Sequence, residues 1–256
     1  MARGKKKQDF RLLAILAIVF AAGALLLFGY LWWQNRQATA IRYREFGIPI
    51  PEGFSVHGID VSRYQQTINW PLVKQMQVQG VRVHFAFIKA TEGSSSVDAQ
   101  FKRNWKHAKE AGITRGAYHF FIASRDGTSQ AKHFLKTVSL QPGDLPPVVD
   151  IEQTNGVQKP LLQQRLKAWL QLVESVHGIK PIIYTNADFY KSYLADAFDD
   201  YPFWVAHYLQ PTAPRARRNW HFWQHSERGR VNGIRAMVDF NVFNGDSTRF
   251  AELLLK

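Results

Sequence analysis

The distribution of apolar and polar positions divides the chain into two unequal parts. Residues 12–33 are 22 consecutive uncharged and mostly apolar positions. A helix rises about 1.5 Å per residue, so this run is long enough to cross a hydrocarbon core of about 30 Å. From His57 onward, short apolar runs alternate with longer amphipathic stretches. The short β-rich runs predict strands at 58–62, 84–91, 116–121, 147–152, 181–185, 203–208, 222–225 and 238–242. Helical spacing predicts helices over 70–79, 98–111, 129–137 and 160–177, the last with Leu162, Leu166, Trp169, Leu170 and Val173 on one stripe. Gly80, Gly112 and Gly178 follow three of these as stop signals. Alternation of this kind over about 200 residues predicts one α/β domain with a largely parallel sheet. About eight strands suggest closure into a barrel. The stretch 208–221 is too irregular for a regular helix. The expected fold is therefore an irregular TIM-like β/α barrel, preceded by a single N-terminal transmembrane helix.

Charge refines the N-terminal reading. Arg3, Lys5, Lys6, Lys7 and Arg11 precede the apolar run, and Tyr30, Trp32 and Trp33 close it. Basic flanks stay in the cytoplasm and aromatic rings favour the far interface, so the rest of the chain is expected outside. A cleaved signal peptide is the alternative, with Ala38-Thr39-Ala40 as a small-x-small site. The run is longer than the usual signal core of about 7–15 residues, and Arg36 interrupts the approach to that site. A retained anchor is the preferred reading, giving a single-pass membrane protein. Gly47, Pro49, Pro51 and Gly53 punctuate the stretch between the apolar run and the first strand. The expected organisation is a basic cytoplasmic tail at 1–11, a membrane helix at 12–33, a linker at 34–54 and a folded domain at 55–256.

The net charge of +13 raises the expectation of an anionic partner. Eight Lys or Arg against Asp9 alone lie in 1–44, which leaves the remainder at about +6. Nucleic acid is therefore not an expected partner of the folded part. The 256-residue chain has no cysteine, which excludes disulfides, thiol catalysis and cysteine-ligated metals. Its nine histidines are scattered without HExxH spacing. Glycine-rich phosphate loops and Gly-x-Ser-x-Gly are absent as well. No metal or cofactor is expected, and a monomer is the default.

In a parallel barrel, chemistry collects at the C-terminal ends of the strands. Asp60, Asp150, Glu152 and Asp239 fall in such places. Asp150 and Glu152 are two apart in an extended segment, so both face one way, with Cα atoms roughly 6.5 Å apart. Two carboxylates held close cannot both ionise at their reference values, and one is pushed toward the protonated form that a general acid needs. The arrangement suits cleavage of a glycosidic bond. One Asp-x-Glu alone is more often a pair of solvated strand-end acids, but Asp60 and Asp239 reverse the balance. Tyr118, His119, Phe120, Tyr184, Trp204, Tyr208, Trp223 and Gln224 sit beside these acids, and about half of them are expected to face the site.

The eight segments Gly-Ile-Asp-Val-Ser (58–62), Phe-Ile-Lys-Ala-Thr-Glu-Gly (87–93), Gly-Ala-Tyr-His-Phe (116–120), Pro-Val-Val-Asp-Ile-Glu (147–152), Ile-Ile-Tyr-Thr-Asn (182–186), Phe-Trp-Val-Ala-His-Tyr (203–208), Phe-Trp-Gln-His-Ser (222–226) and Val-Asp-Phe-Asn-Val-Phe-Asn-Gly (238–245) resemble, in this order, the glycoside hydrolase family 25 lysozymes, the Chalaropsis-type muramidases. The resemblance implies cleavage of the β-1,4 bond between N-acetylmuramic acid and N-acetylglucosamine in peptidoglycan glycan strands. It implies a catalytic set of Glu152, Asp150, Asp60 and Asp239, with Glu152 as general acid/base and Asp150 orienting the substrate N-acetyl group. Tyr118, Tyr184, Trp204, Gln224, Lys89 and Glu92 are the expected substrate-binding residues. Two other readings stay open at this level: a wall-binding protein without catalysis, and a chitinase-like glycosidase.

Overall fold

The computed structural model describes residues 15–33, 43–210, 212–216 and 218–256. The basic tail at 1–11, residues 12–14 of the apolar run and residues 34–42 of the expected linker lie outside the described residues. The chain divides into two units, 1–44 and 45–256. In the first, helix α1 (Ile15–Trp33) is 19 residues long and none of its apolar window is buried.

The second unit is a barrel of eight strands: β1 (His57–Val61), β2 (Val81–Glu92), β3 (Thr114–Phe120), β4 (Val148–Asp150), β5 (Ile182–Asn186), β6 (Phe203–Ala206), β7 (Phe222–Gly229) and β8 (Val238–Phe243). Each strand from β1 to β6 pairs in parallel with the next. The last strand, β8, runs antiparallel to both β7 and β1 and closes the ring. Helices α2 (Trp70–Gln75), α3 (Phe101–Glu110), α4 (Gly127–Thr137) and α5 (Lys159–His177) follow β1 to β4. After β5 come only a short turn of helix α6 (Ala187–Phe189) and a wide turn at Tyr190–Leu194. Among the described residues no helix connects β6 to β7 or β7 to β8, and α7 (Ser247–Glu252) ends the chain. The barrel is irregular in its second half, where the sequence lacks helical periodicity.

Period-two alternation builds the interior. Phe85, Phe87, Val148, Ile182, Tyr184, Trp204, Phe222 and Phe243 form one buried cluster inside the ring, with Phe250 of α7 among them. Phe87 stacks on Trp204 with ring centres 4.3 Å apart, and Phe85 meets Phe222 edge-on at 5.2 Å. Room for these rings comes from glycine. A Cβ on Gly58 would lie 2.4 Å from the Phe85 ring, and one on Gly116 would lie 2.6 Å from that of Phe87. Outside the ring, Arg115 and Asp144 make a buried two-pronged ion pair at 2.8 and 3.1 Å, with the guanidinium lying on the Trp105 ring. It ties β3 to the segment leading into β4, where an unpaired charge would be costly.

Two expectations need correction. Gly80 does not stop a helix: α2 ends at Gln75, and Gln79–Gly80 turns a hairpin between Val78 and Val81. Both turn residues have positive φ, 49° and 86°, as a type I′ turn requires. The linker also ends earlier than its Pro and Gly content suggests. Residues 45–54 belong to the folded unit, where Phe46, Ile48 and Ile50 are buried. Phe46 meets Phe240 edge-on at 5.2 Å, and its carbonyl accepts the Arg230 N–H at 2.8 Å. Phe54 packs on Trp220 and Trp223. The segment is a strap bonded to the outside of β7 and β8.

Candidate active site

The alternation that fills the barrel also aims the polar groups at its mouth. One step of two residues beyond the buried ring layer stand Lys89 after Phe87, Asp150 after Val148 and Gln224 after Phe222. Asp60 stands likewise beyond Gly58, and Tyr118 beyond Gly116. The reversal of β8 matters here. Its beginning, not its end, lies at this mouth, so Asp239 sits directly opposite Asp60 in the register. These residues, with Glu152, Tyr184, Trp204 and Tyr208, line a cleft of about 300 Å³.

Asp60 is the hub of the polar network. Its Oδ2 accepts from Gln224 Nε2 and from Asn241 Nδ2, both at 2.8 Å. The Gln224 Oε1 accepts from the Tyr184 hydroxyl at 2.9 Å and from the Tyr208 hydroxyl at 2.6 Å. The Asn241 Oδ1 accepts from the Trp204 indole N–H at 2.8 Å. Donors on Tyr184, Tyr208 and Trp204 thus fix both amides with their NH₂ groups toward one carboxylate. Burial pushes the Asp60 carboxyl up to about 6, and these amide donors hold it from rising further. Asp239 is pushed up to about 9 by burial and by the negative charge of Asp60, with which it shares a hydrogen bond. In that bond Asp239 carries the proton and donates it to Asp60.

The second acid pair lies on β4 and just beyond it. The strand ends at Asp150, but the ladder runs on: Phe121 N–H donates to the Asp150 carbonyl at 2.8 Å, and Ile151 N–H to that of Tyr184 at 3.0 Å. The chain is held extended to Glu152, which keeps both carboxyls at the cleft. Burial, then the neighbouring Glu152, raises Asp150 well above the usual carboxylate range. Glu152 is half-buried and raised by desolvation, with the Tyr184 hydroxyl holding it back in part. The Oδ1 of Asp150 is buried and has no hydrogen-bond partner among the described residues. Burial of such an atom is costly unless a ligand supplies the partner. The site therefore offers two neighbouring carboxyls both raised toward the protonated form, an open bonding position on one of them, and aromatic walls.

Residues 59–234 match the family described as glycosyl hydrolases family 25, which is more than half of the chain. The chain belongs to this family. YegX of Escherichia coli (strain K12) is 49% identical over 202 residues, covering 79% of this chain and 74% of that protein. Lysozyme M1 of Streptomyces globisporus is 36% identical over 213 residues, covering 77% and 71%. Among solved structures, a family 25 glycosyl hydrolase from Bacillus anthracis superposes with a TM-score of 0.72 at 33% identity, over 79% of this chain and 95% of that one. The bacterial lysozyme of Streptomyces coelicolor gives 0.71 at 35% identity, over 79% and 98%. The chain is a glycoside hydrolase with the family 25 barrel.

The family 25 cleft gathers most of the residues expected from the sequence, with one exception. Glu92 does not line it; it pairs with Lys89 Nζ at 2.7 Å, while Lys89 itself lines the cleft above the Phe120 ring. Strict alternation puts residues 89 and 92 on opposite faces. A bulge at Ala90 shifts the register, so that Lys89 pairs with Tyr118 and Glu92 with Phe120. Among the aromatics, Trp223 and His119 turn away from the cleft. Trp223 donates to the His207 carbonyl, and His119 lies buried between Thr91 and Gln130, stacked on Trp169. Glu227 lines the cleft and was not legible in the sequence. Register shifts in β7 opposite Phe240 break the alternation after Gln224, and a period-two count does not reach it. Asn241 was visible only as part of a motif; its contact with Asp60 gives it a reason.

The shared proton makes stability depend on pH. Asp239 is raised in the folded state, so the fold holds more protons than the unfolded chain between about 4 and about 9. The stabilisation is complete below that window and is lost as pH rises through it. Asp239→Asn keeps an N–H donor toward Asp60 and removes the ionisation. The thermal midpoint of the wild type is expected to fall between pH 5 and pH 9, with a flatter profile for Asp239→Asn. Parallel melting curves across that range check this.

Proposed function

We propose that this family 25 hydrolase cuts the β-1,4 bond between N-acetylmuramic acid and N-acetylglucosamine in peptidoglycan, with Glu152 as acid/base and Asp150 as the group that orients the substrate. The observation that carries the assignment of roles is the unpartnered Asp150 Oδ1 beside the raised carboxyl of Glu152. Glu152 gives its proton to the glycosidic oxygen as the bond from that oxygen to the anomeric carbon breaks. The carbonyl oxygen of the substrate's own N-acetyl group bonds to the anomeric carbon, while the open Oδ1 of the Asp150 carboxyl accepts the amide N–H. Glu152, now ionised, takes a proton from water as that water opens the cyclic intermediate. Two inversions at one carbon give net retention, within the substrate-assisted exception to the two-carboxylate scheme. The Asp60–Asp239 pair with Gln224 and Asn241 forms the rigid wall against which the sugar is held. Peptidoglycan digested with the enzyme and then reduced should yield new muramitol ends. New glucosaminitol ends overturn the bond assignment, and no new ends overturn the activity.

The N-terminal helix supports a tethered enzyme in this reading. Its 19 residues span about 28 Å, close to a hydrocarbon core, and the basic residues before it set the orientation. The full chain is expected to sediment with membranes, and a fusion after Lys256 to be active only if its reporter works outside the cytoplasm. A soluble mature protein beginning near Ile41 identifies a cleaved signal instead.

A further inference from the structure

A second groove lies beside the catalytic cleft and shares a wall with it. It has a volume of about 1030 Å³, and Tyr64 and Gln65 line both spaces. Its walls are the loop leading into α2, helix α3 and the hairpin between β7 and β8. Those walls are fixed to one another. Gln65 accepts the Ser62 N–H at 2.9 Å through Oε1 and donates to the Met237 carbonyl at 3.0 Å through Nε2. Asn69 N–H donates to the Gly233 carbonyl at 2.9 Å. Gly233 has φ of 92°, and a Cβ there would lie 2.4 Å from the Asn69 carbonyl oxygen, so only glycine allows this contact. The groove is preformed, which lowers the cost of filling it.

Its chemistry differs from that of the cleft. The cleft carries carboxylates and aromatic rings, whereas the groove presents Arg103 and Arg235, both exposed. Neither makes an ion pair or side-chain hydrogen bond among the described residues. Glu110 also lines the groove, but it is already paired with His107 at 2.9 Å and Lys106 at 3.8 Å. Away from the cleft the exposed apolar lining is aliphatic, with Leu72 44% exposed, and the one exposed ring, Tyr64 at 69%, stands at the wall shared with the cleft. Trp70 offers no plate for a sugar: it is 1% exposed, and its indole N–H is bonded to Asn104. Free guanidinium groups beside aliphatic surface suit a short acidic peptide with small side chains.

We propose that this groove holds the carboxylate-bearing stem peptide of the substrate, with Arg103 and Arg235 pairing with its carboxylates while the sugars occupy the cleft. The proposal rests on the assignment of peptidoglycan as substrate. The shared wall at Tyr64 and Gln65 sets the groove next to the sugars, and the peptide leaves the muramic acid ring whose bond is cut.

The test uses the double variant R103Q/R235Q and two soluble glycan fragments that differ only in the peptide, one intact and one stripped by an amidase. On the intact fragment KM is expected to rise about tenfold with kcat unchanged, and on the stripped fragment neither changes. The wild-type preference for the intact fragment should shrink as salt is raised. Equal loss on both fragments, or no change on either, overturns the proposal. A titration of wild type and variant with the free stem peptide is read independently of turnover. If the wild type cleaves neither fragment, the hydrolase reading fails and this titration decides the groove: saturable binding lost in the variant supports it, and no binding to the wild type overturns it.

Discussion

Replacement of Glu152 by glutamine is expected to lower turnover on purified peptidoglycan by about 10²–10⁴-fold while leaving the thermal midpoint nearly unchanged. Glutamine matches the shape of the acid and fills the same half-buried place at the end of the extended segment after β4. What it lacks is the proton for the leaving oxygen. Glu152 is suited to hold that proton because desolvation raises it. Asp150→Asn should also lower kcat, since an amide NH₂ in place of the open Oδ1 cannot accept the substrate N–H. The two defects separate with a substrate carrying a good leaving group, which needs no proton: it should rescue Glu152→Gln and leave Asp150→Asn slow. Comparable rates for wild type and Glu152→Gln on the natural polymer would sink the assignment.

The second large effect concerns where the folded enzyme begins. A chain starting at residue 45 is expected to fold and to cleave soluble fragments at the full rate. One starting at residue 55 is expected to be insoluble or unfolded. The ten-residue strap carries Phe46, Ile48 and Ile50, which are 0%, 5% and 2% exposed. Truncating one buried large side chain costs about 2–5 kcal/mol. Three such losses, about 6–15 kcal/mol together, equal the whole stability of a typical domain. Phe46→Ala alone, in the full chain, should cost about 3–5 kcal/mol and lower the denaturant midpoint without changing fragment turnover in the absence of denaturant. A stable, active protein beginning at residue 55 contradicts the packing of the strap.

The strap is hard to read from sequence because Pro49, Pro51 and Gly53 outweigh a weaker signal. Phe46, Ile48 and Ile50 alternate with period two, but no regular strand forms there, since the prolines lack ladder donors. The strands of the barrel were legible because each carries a short β-rich run set off by turn residues or amphipathic stretches. The four acids were legible because each interrupts or ends such a run. The limits of that legibility are physical. Alternation locates Asp150 from Val148, but a bulge is set by pairing across strands and leaves no mark on a single strand. Glu227 therefore went unseen, while Glu92, expected from the family resemblance and not from alternation, is held by Lys89 instead of lining the cleft. The role of Asn241 depends on the partner that orients it, Trp204, which is distant in sequence.

The position of Asp60 and Asp239 has a consequence for when the enzyme becomes active. The two acids face each other across the junction of β1 and β8, where the first and last strands of the barrel meet. Asn241, which bonds to Asp60, stands 181 residues further along the chain. Contacts of such separation carry a large entropic cost and form only once the intervening chain is in place. Asp60 therefore acquires its proton-sharing partner and its amide donors only when the final strand has docked. A chain whose last strand is not yet made has Glu152 but no finished wall to hold a sugar against it. The geometry that builds the cleft thus also withholds lytic activity from any chain that lacks its final strand.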